Sequence, residues 1–274
     1  MKRAARSLPL VLGAATGALG GLIVRERRNR RDLERFAAAT LETLLNAIEA
    51  NDPETGAHVR RVAAYALVLA EEAELDAHCR HVIERVSLFH DIGKIHQALF
   101  DIVHEETRLT PGEWAAIRTH PRRGAEVLEP VTRFYPDLAE GVLSHHERWD
   151  GSGYPRGLAG TRIPLAARVV AIADTFDVLS FGRRYRRGLS PARAAEVIAR
   201  GRGTQFDPDL ADLFLFPPVF ERILATHRAL RAPRVRRRDE RRVGRGEPIA
   251  ADVEFRWRPV PVVPAGSPPA TRQA

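Results

Sequence analysis

The sequence predicts an all-α protein, a helical bundle preceded by an N-terminal membrane-spanning helix. Three features carry that prediction. Apolar residues recur at helical spacing through most of residues 32–228. Helix-start signals, with Pro after Ser or Thr, and Gly or Pro stops punctuate the same stretch. No run alternates apolar and polar residues as a half-buried strand does.

Taken in order, residues 7–24 (SLPLVLGAATGALGGLIV) carry no charge. As a helix they would span about 27 Å, close to the hydrocarbon thickness of a bilayer. The basic run RERRNRR at 25–31 follows, which argues against an exported leader and puts the rest of the chain on the cytoplasmic side. Residues 1–24 are therefore expected to be a single-pass anchor. Gly13, Gly17 and Gly21 recur every four residues, either a close-approach face for a homodimer or a consequence of a small-residue-rich stretch. Residues 25–50 read as a basic juxtamembrane segment and connecting helix, with Leu33, Phe36, Leu41, Leu44, Leu45 and Ile48 at helical spacing. Amphipathic helices follow over 59–75 and 79–89. Thr110, Pro111 and Glu113 form a capping box that starts another helix, which Pro121 is expected to end just after His120. Ser190 and Pro191 start a later helix and Gly201 ends it. Residues 51–228 form the main domain, and the Arg- and Pro-rich tail 229–274 reads as disordered.

The chain is long enough for one domain with a sizeable core plus appendages. Its formal net charge of +8 concentrates at 25–31 and 231–245, so the charge describes the flanks and calls for no nucleic-acid polymer as partner. Lys2 and Lys94 are the only lysines among 43 basic residues. Retention of a compact ammonium at position 94, where arginine is otherwise used, is chance or a requirement for a point charge. Cys79 is the single cysteine, which excludes an internal disulfide framework and a thiolate metal cluster.

Any metal must then be held by His, Asp and Glu. Of ten histidines, His78, His81, His104 and His227 stand at unremarkable positions. Besides His96, the rest sit beside carboxylates or at Gly and Pro breaks: ETGAH (54–58), HDIGK (90–94), HP (120–121) and HHERWDGSGYP (145–155). Asp174 lies within ADTFD (173–177). Imidazole and carboxylate without thiolate suit Fe or Mn, with Zn as an alternative. Each motif alone has a plain packing or surface reading; the ordered set along one helical domain does not.

These motifs, together with GLAG (157–160) and IPL (163–165), resemble the HD-GYP domain over about residues 51–214. HD-GYP proteins are a branch of the HD metal-dependent phosphohydrolases that hydrolyse the bacterial second messenger cyclic di-GMP. The resemblance implies an HD-type helical bundle and two or three divalent ions. It implies His90, Asp91, His120, His145, His146 and Asp174 as their ligands, with Asp91 bridging, and Glu54 with His58 completing a third site in some members. It further implies a hydroxide shared between metals as the attacking group. Lys94 would set its charge against a phosphate oxygen, Arg183 and Arg186 would clamp the substrate phosphates, and Tyr154 would face the ligand. After HDIGKI the chain departs from the family's usual segment, reading HQA and then DIVHEETRLT, with His96 either packing or an added ligand. Gln205 stands where many members carry His. The leading expectation is a phosphodiesterase for cyclic di-GMP or a related cyclic dinucleotide at the cytoplasmic membrane, yielding pGpG or GMP. A catalytically weak or inactive nucleotide sensor and a mononucleotide phosphohydrolase are the alternatives.

Overall fold

In the computed structural model the described residues are 8–95, 110–183 and 186–231, with the backbone alone for 8–24, 182–183 and 186–187. They form α1 (Leu8–Asn51), α2 (Pro53–Glu72), α3 (Ala77–Phe89), α4 (Pro111–Ile117), α5 (His120–Leu128), α6 (Pro136–Ser144), α7 (Leu165–Phe181), α8 (Pro191–Gly201), α9 (Pro208–Leu215) and α10 (Pro217–Arg231), with three short 3-10 turns. The only strands among the described residues are β1 (Gly182–Arg183) and β2 (Arg186–Arg187), one antiparallel pair in which Arg183 and Arg186 are register partners. The all-helical expectation holds apart from this two-residue hairpin.

Compact contacts divide the described residues into one unit within 8–44 and a second within 45–231. The expected membrane anchor is corrected. Among the described residues, no helix is long and apolar enough to cross a membrane. The uncharged run of 7–24 sits at the short end of what a span needs, and Gly and Ala, which bring little apolar surface, fill much of it. From Arg25 to Phe36 α1 continues as an exposed, largely charged helix. The single-pass localisation at a cytoplasmic membrane falls with it. The disordered tail assigned to 229–274 lies outside the described residues from 232 on, as does His96 with the rest of 96–109.

The second unit is built around α2. Asp52 caps its N-terminus, accepting from Glu54 N at 3.0 Å, and Pro53 opens the first turn. The segment reads as amphipathic, yet Val62, Ala63, Ala64, Tyr65, Ala66, Val68, Leu69 and Ala70 are all fully buried. The reason is that α3, α7 and α10 all pack on it, and four alanines let those helices come close. Burying a side chain the size of Leu69 contributes about 1.5–3 kcal/mol. Phe176 of α7 completes this core, edge-on to Tyr65 at 5.1 Å and to Phe214 at 5.4 Å. His227 belongs to it too: its Nδ1 lies 3.0 Å from the buried Tyr65 hydroxyl, and burial, aided by Arg231, pushes its pKa down to about 4.

Local signals mark the helix starts. Thr110 and Glu113 make the reciprocal capping box, and Ser190 accepts from Arg193 N. Pro121 behaves otherwise than expected. It does not end a helix but sits in the first turn of α5, where its missing N–H costs nothing, so His120 begins a helix.

Candidate metal centre

Five segments deliver the site. His58 comes from α2, His90 caps the end of α3, and Asp91 and Lys94 follow at the 3-10 turn Ile92–Ile95. His120 opens α5, His145 and His146 follow the end of α6, and Asp174 lies on α7. One local device aims three of the rings. His90 Nδ1 lies 2.7 Å from Ser87 O, His120 Nδ1 2.7 Å from Ile117 O, and His145 Nδ1 2.6 Å from Val142 O. Each ring therefore donates from Nδ1 to the carbonyl three residues back, which fixes the tautomer and presents the Nε2 lone pair inward.

The ligand-type atoms fall into two groups, Asp91 with His120, His145 and His146, and His58 with His90 and Asp174; within each group they lie within 4.8 Å of one another. Asp91 touches both. Its Oδ1 is 3.3 Å from His120 Nε2 and 3.9 Å from His145 Nε2. Its Oδ2 is 3.5 Å from His90 Nε2 and 3.9 Å from His58 Nε2, and accepts from Lys94 Nζ at 2.7 Å. Asp174 Oδ1 is 3.3 Å from His58 Nε2 and 3.9 Å from His90 Nε2.

Electrostatics prepares the groups for cations. Asp91 is held well below the carboxylate range; burial works against this, and Lys94, His90 and His120 overcome it. Asp174 is likewise held low, against burial, by hydrogen bonding with His58 and the charge of His90. Burial first, then the neighbouring imidazoles His146 and His120, drives His145 well below its ordinary value. Burial and the positive field of His120 and Lys94 bring His146 down to about 3. Burial also lowers His90. His58 goes the other way: burial lowers it, but Asp174 and Asp177 outweigh burial and raise it to about 9. The carboxylates are thus anionic, and His90, His145 and His146 offer neutral lone pairs.

Divalent ions fit this donor set. His120 Nε2 and His145 Nε2 face one another at 3.1 Å, each ring aimed by its Nδ1 contact to a carbonyl. His90 Nε2 is buried with no hydrogen-bond partner among the described residues, the state expected of a nitrogen reserved for an ion.

The GYP loop forms one wall. The buried Glu147 carboxylate accepts from Arg156 N at 2.7 Å and Leu158 N at 3.0 Å, so the third residue of HHE holds the loop's backbone. A Cβ on Gly153 would lie 2.3 Å from Arg148 N, which only glycine avoids. Tyr154 stacks on His146 with centroids 4.9 Å apart, and the Arg118 guanidinium lies 4.5 Å from the Tyr154 ring centre. Beside the histidines opens a cavity of about 350 Å³, lined by Trp114, Arg118, His146, Tyr154, Asp174 and Gln205 among others.

Seven of the sequence-derived metal residues, His58, His90, Asp91, His120, His145, His146 and Asp174, converge. Glu54 does not join either group and is exposed in the first turn of α2. Arg183 and Arg186 are placed only as backbone partners, their side chains lying outside the described residues. Three contributors carry no expectation from sequence. Asp177 lies 2.7 Å from His58 Nδ1, Arg61 donates to both Asp177 oxygens at 2.8 and 2.9 Å, and Arg118 flanks Tyr154. Asp177 is visible in ADTFD, three residues after Asp174 and so on the same helix face; nothing in sequence marks Arg61 or Arg118.

An all-helical domain in which HD, HP and HH motifs converge on two His/Asp groups has the design of an HD phosphohydrolase. A family model described as HD domain matches residues 42–210, and the chain belongs to that family, as an HD-GYP type member. The cyclic di-GMP phosphodiesterase response regulator RpfG of Xanthomonas campestris is 39% identical over 186 residues, covering 67% of this chain and 49% of that protein. A 3'3'-cGAMP-specific phosphodiesterase 2 of Vibrio cholerae is 38% identical over 186 residues, covering 67% of this chain and 35% of that protein. The chain thus spans between a third and a half of the length of these relatives. In fold it is similar to the HD domain of the L. monocytogenes phosphodiesterase PgpH solved in complex with cyclic-di-AMP, with a TM-score of 0.51 at 18% identity over 70% of this chain and 99% of that one.

Proposed function

We propose that this chain is a metal-dependent phosphodiesterase that hydrolyses a cyclic dinucleotide, cyclic di-GMP first, to linear pGpG and onward to GMP. The observation that carries the reading is the position of Asp91, with one carboxylate oxygen facing each ligand group. In this reading His120, His145 and His146 would hold one ion and His58, His90 and Asp174 another, with Asp91 serving both groups. Fe or Mn suits the imidazole–carboxylate set. Such ions, when bound, supply Lewis acidity that neutralises phosphoryl charge and acidifies water.

The chain's own residues do the rest. Ser87, Ile117 and Val142 carbonyls lock the histidine rings, so the site is organised before the substrate arrives. Lys94, 2.7 Å from Asp91, brings an ammonium that would meet a phosphate oxygen. Arg183 and Arg186, register partners across the hairpin, supply guanidinium forks for the phosphates. Tyr154, stacked on His146, lines the cavity against the ligand. The relatives' names divide between cyclic di-GMP and 3'3'-cGAMP, so both are substrates to test.

The test is product analysis. The purified chain, loaded anaerobically with Fe or Mn, is incubated with cyclic di-GMP and with 3'3'-cGAMP, and the products are separated by chromatography. Linear dinucleotide is expected. The doubly substituted His90→Ala/Asp91→Ala protein should lose metal and turnover together. Tight nucleotide binding without turnover in the loaded protein would make the chain a sensor instead.

A further inference from the structure

The cavity beside the metal centre has a second wall that the hydrolytic reading leaves unused. We infer that Trp114 and Arg118 form a purine-base subsite that favours guanine over adenine. The inference rests on the phosphodiesterase reading for the identity of the ligand, but the subsite is argued from its own geometry.

The capping box of Thr110 and Glu113 starts α4, and Arg118 continues its helical backbone as the C-cap. Trp114 and Arg118 are therefore four residues apart on one face. Trp114 is 55% exposed, unusual for the residue with the most apolar surface to hide. Its indole borders the cavity whose other side is His145, His146, Tyr154 and Asp174. A ligand with its phosphodiester at the histidines then carries its neighbouring base toward Trp114. An exposed indole accepts a purine face by stacking, whichever purine it is.

Arg118 supplies the discrimination. Its guanidinium is held over Tyr154, which is itself stacked on His146, so a ladder of three side chains sets it at the cavity wall. Among the described residues no carboxylate engages it, so its N–H groups are open to a ligand. Guanine presents O6 and N7 side by side, two acceptors that match two guanidinium donors. Adenine replaces O6 with an amino donor, which opposes donor to donor.

The experiment measures equilibrium dissociation constants for cyclic di-GMP and cyclic di-AMP on the full chain by calorimetry, both metal-free and Mn-loaded. The wild type should bind cyclic di-GMP more tightly. Trp114→Ala should weaken cyclic di-GMP about tenfold, in line with loss of one stacked base, and Trp114→Phe should recover most of it. Arg118→Met should erase most of the preference for the guanine ligand. Folding is checked by thermal melting, which substitution at these exposed positions should leave near wild type. An unchanged constant in Trp114→Ala, an unchanged ratio in Arg118→Met, or no binding to the wild type in either form overturns the subsite. If wild type turns over cyclic di-GMP and Trp114→Ala keeps its KM, the subsite alone fails. If binding depends on Trp114 and Arg118 but no loaded form hydrolyses the ligand, the subsite stands and the phosphodiesterase reading fails.

Discussion

Asp177 shows how much of a site depends on a residue that touches no substrate. Fully buried, it faces His58 Nδ1 at 2.7 Å and takes both donors of Arg61, so a positive partner on each side offsets its own burial. Its carboxylate orients the His58 ring and keeps its Nε2 directed at Asp174 and Asp91. Asp177→Asn keeps the shape and removes the charge. The expected result is a 10–100-fold loss of divalent-ion affinity, read by competition against a chelating dye, with the helical content intact. An affinity equal to wild type would show that the packing of α2 against α7 aims His58 without help.

At the scale of elements, the decisive contact is that between the 3-10 turn Ile92–Ile95 and α5. A Cβ on Gly93 would lie 2.1 Å from His120 O and 2.7 Å from Gly124 N, both backbone atoms that cannot rotate away. This close approach sets the 3.3 Å between Asp91 and His120. Gly93→Ala must push α5 outward, at a cost of about 2 kcal/mol or more, and separate two ligands of one group. Its melting temperature should fall by several degrees and its bound metal with it. Gly112→Ala is the matched control: a Cβ there meets nothing within 4 Å, so melting temperature and metal content should stay at wild type. Equal behaviour of the two variants would remove the turn–helix contact from the account.

For the whole molecule, the ions would tie together segments more than a hundred residues apart, since His58 and Asp174 share one group. A ligand that binds only the folded state stabilises by mass action, about 2.7 kcal/mol at a hundredfold excess over its dissociation constant. For a domain of this size that raises Tm by roughly 5–10 °C. Thermal melts of the wild type with Mn and with chelator should differ by about that amount, and His90→Ala/Asp91→Ala should show no difference. A wild type indifferent to chelator would mean that the bundle closes without its ions.

Much of this protein was legible from local chemistry. The capping box of α4, the Ser190 cap of α8 and the Pro starts of both appear in sequence because the residues that satisfy a helix end lie within three or four positions of it. Of the seven residues that converge, five were legible because HD, HP and HH set them at helix ends, and His58 and Asp174 because ETGAH and ADTFD stand in the order of a family motif. Tertiary packing decided the rest. The segment over 59–75 reads as one-sided, yet α2 is buried all round because three helices pack on it. The eighteen uncharged residues at 7–24 read as a membrane span, but no helix among the described residues meets that need. Asp177, Arg61, Arg118 and Trp114 acquire meaning only from neighbours distant in the chain. Sequence thus determined the helical class, the caps and seven of the residues that meet in the two His/Asp groups. Which carboxylate oxygen faces which group, which ring stacks on which, and where the cavity opens were decided by three-dimensional packing, because these are distances between segments that no local spacing encodes.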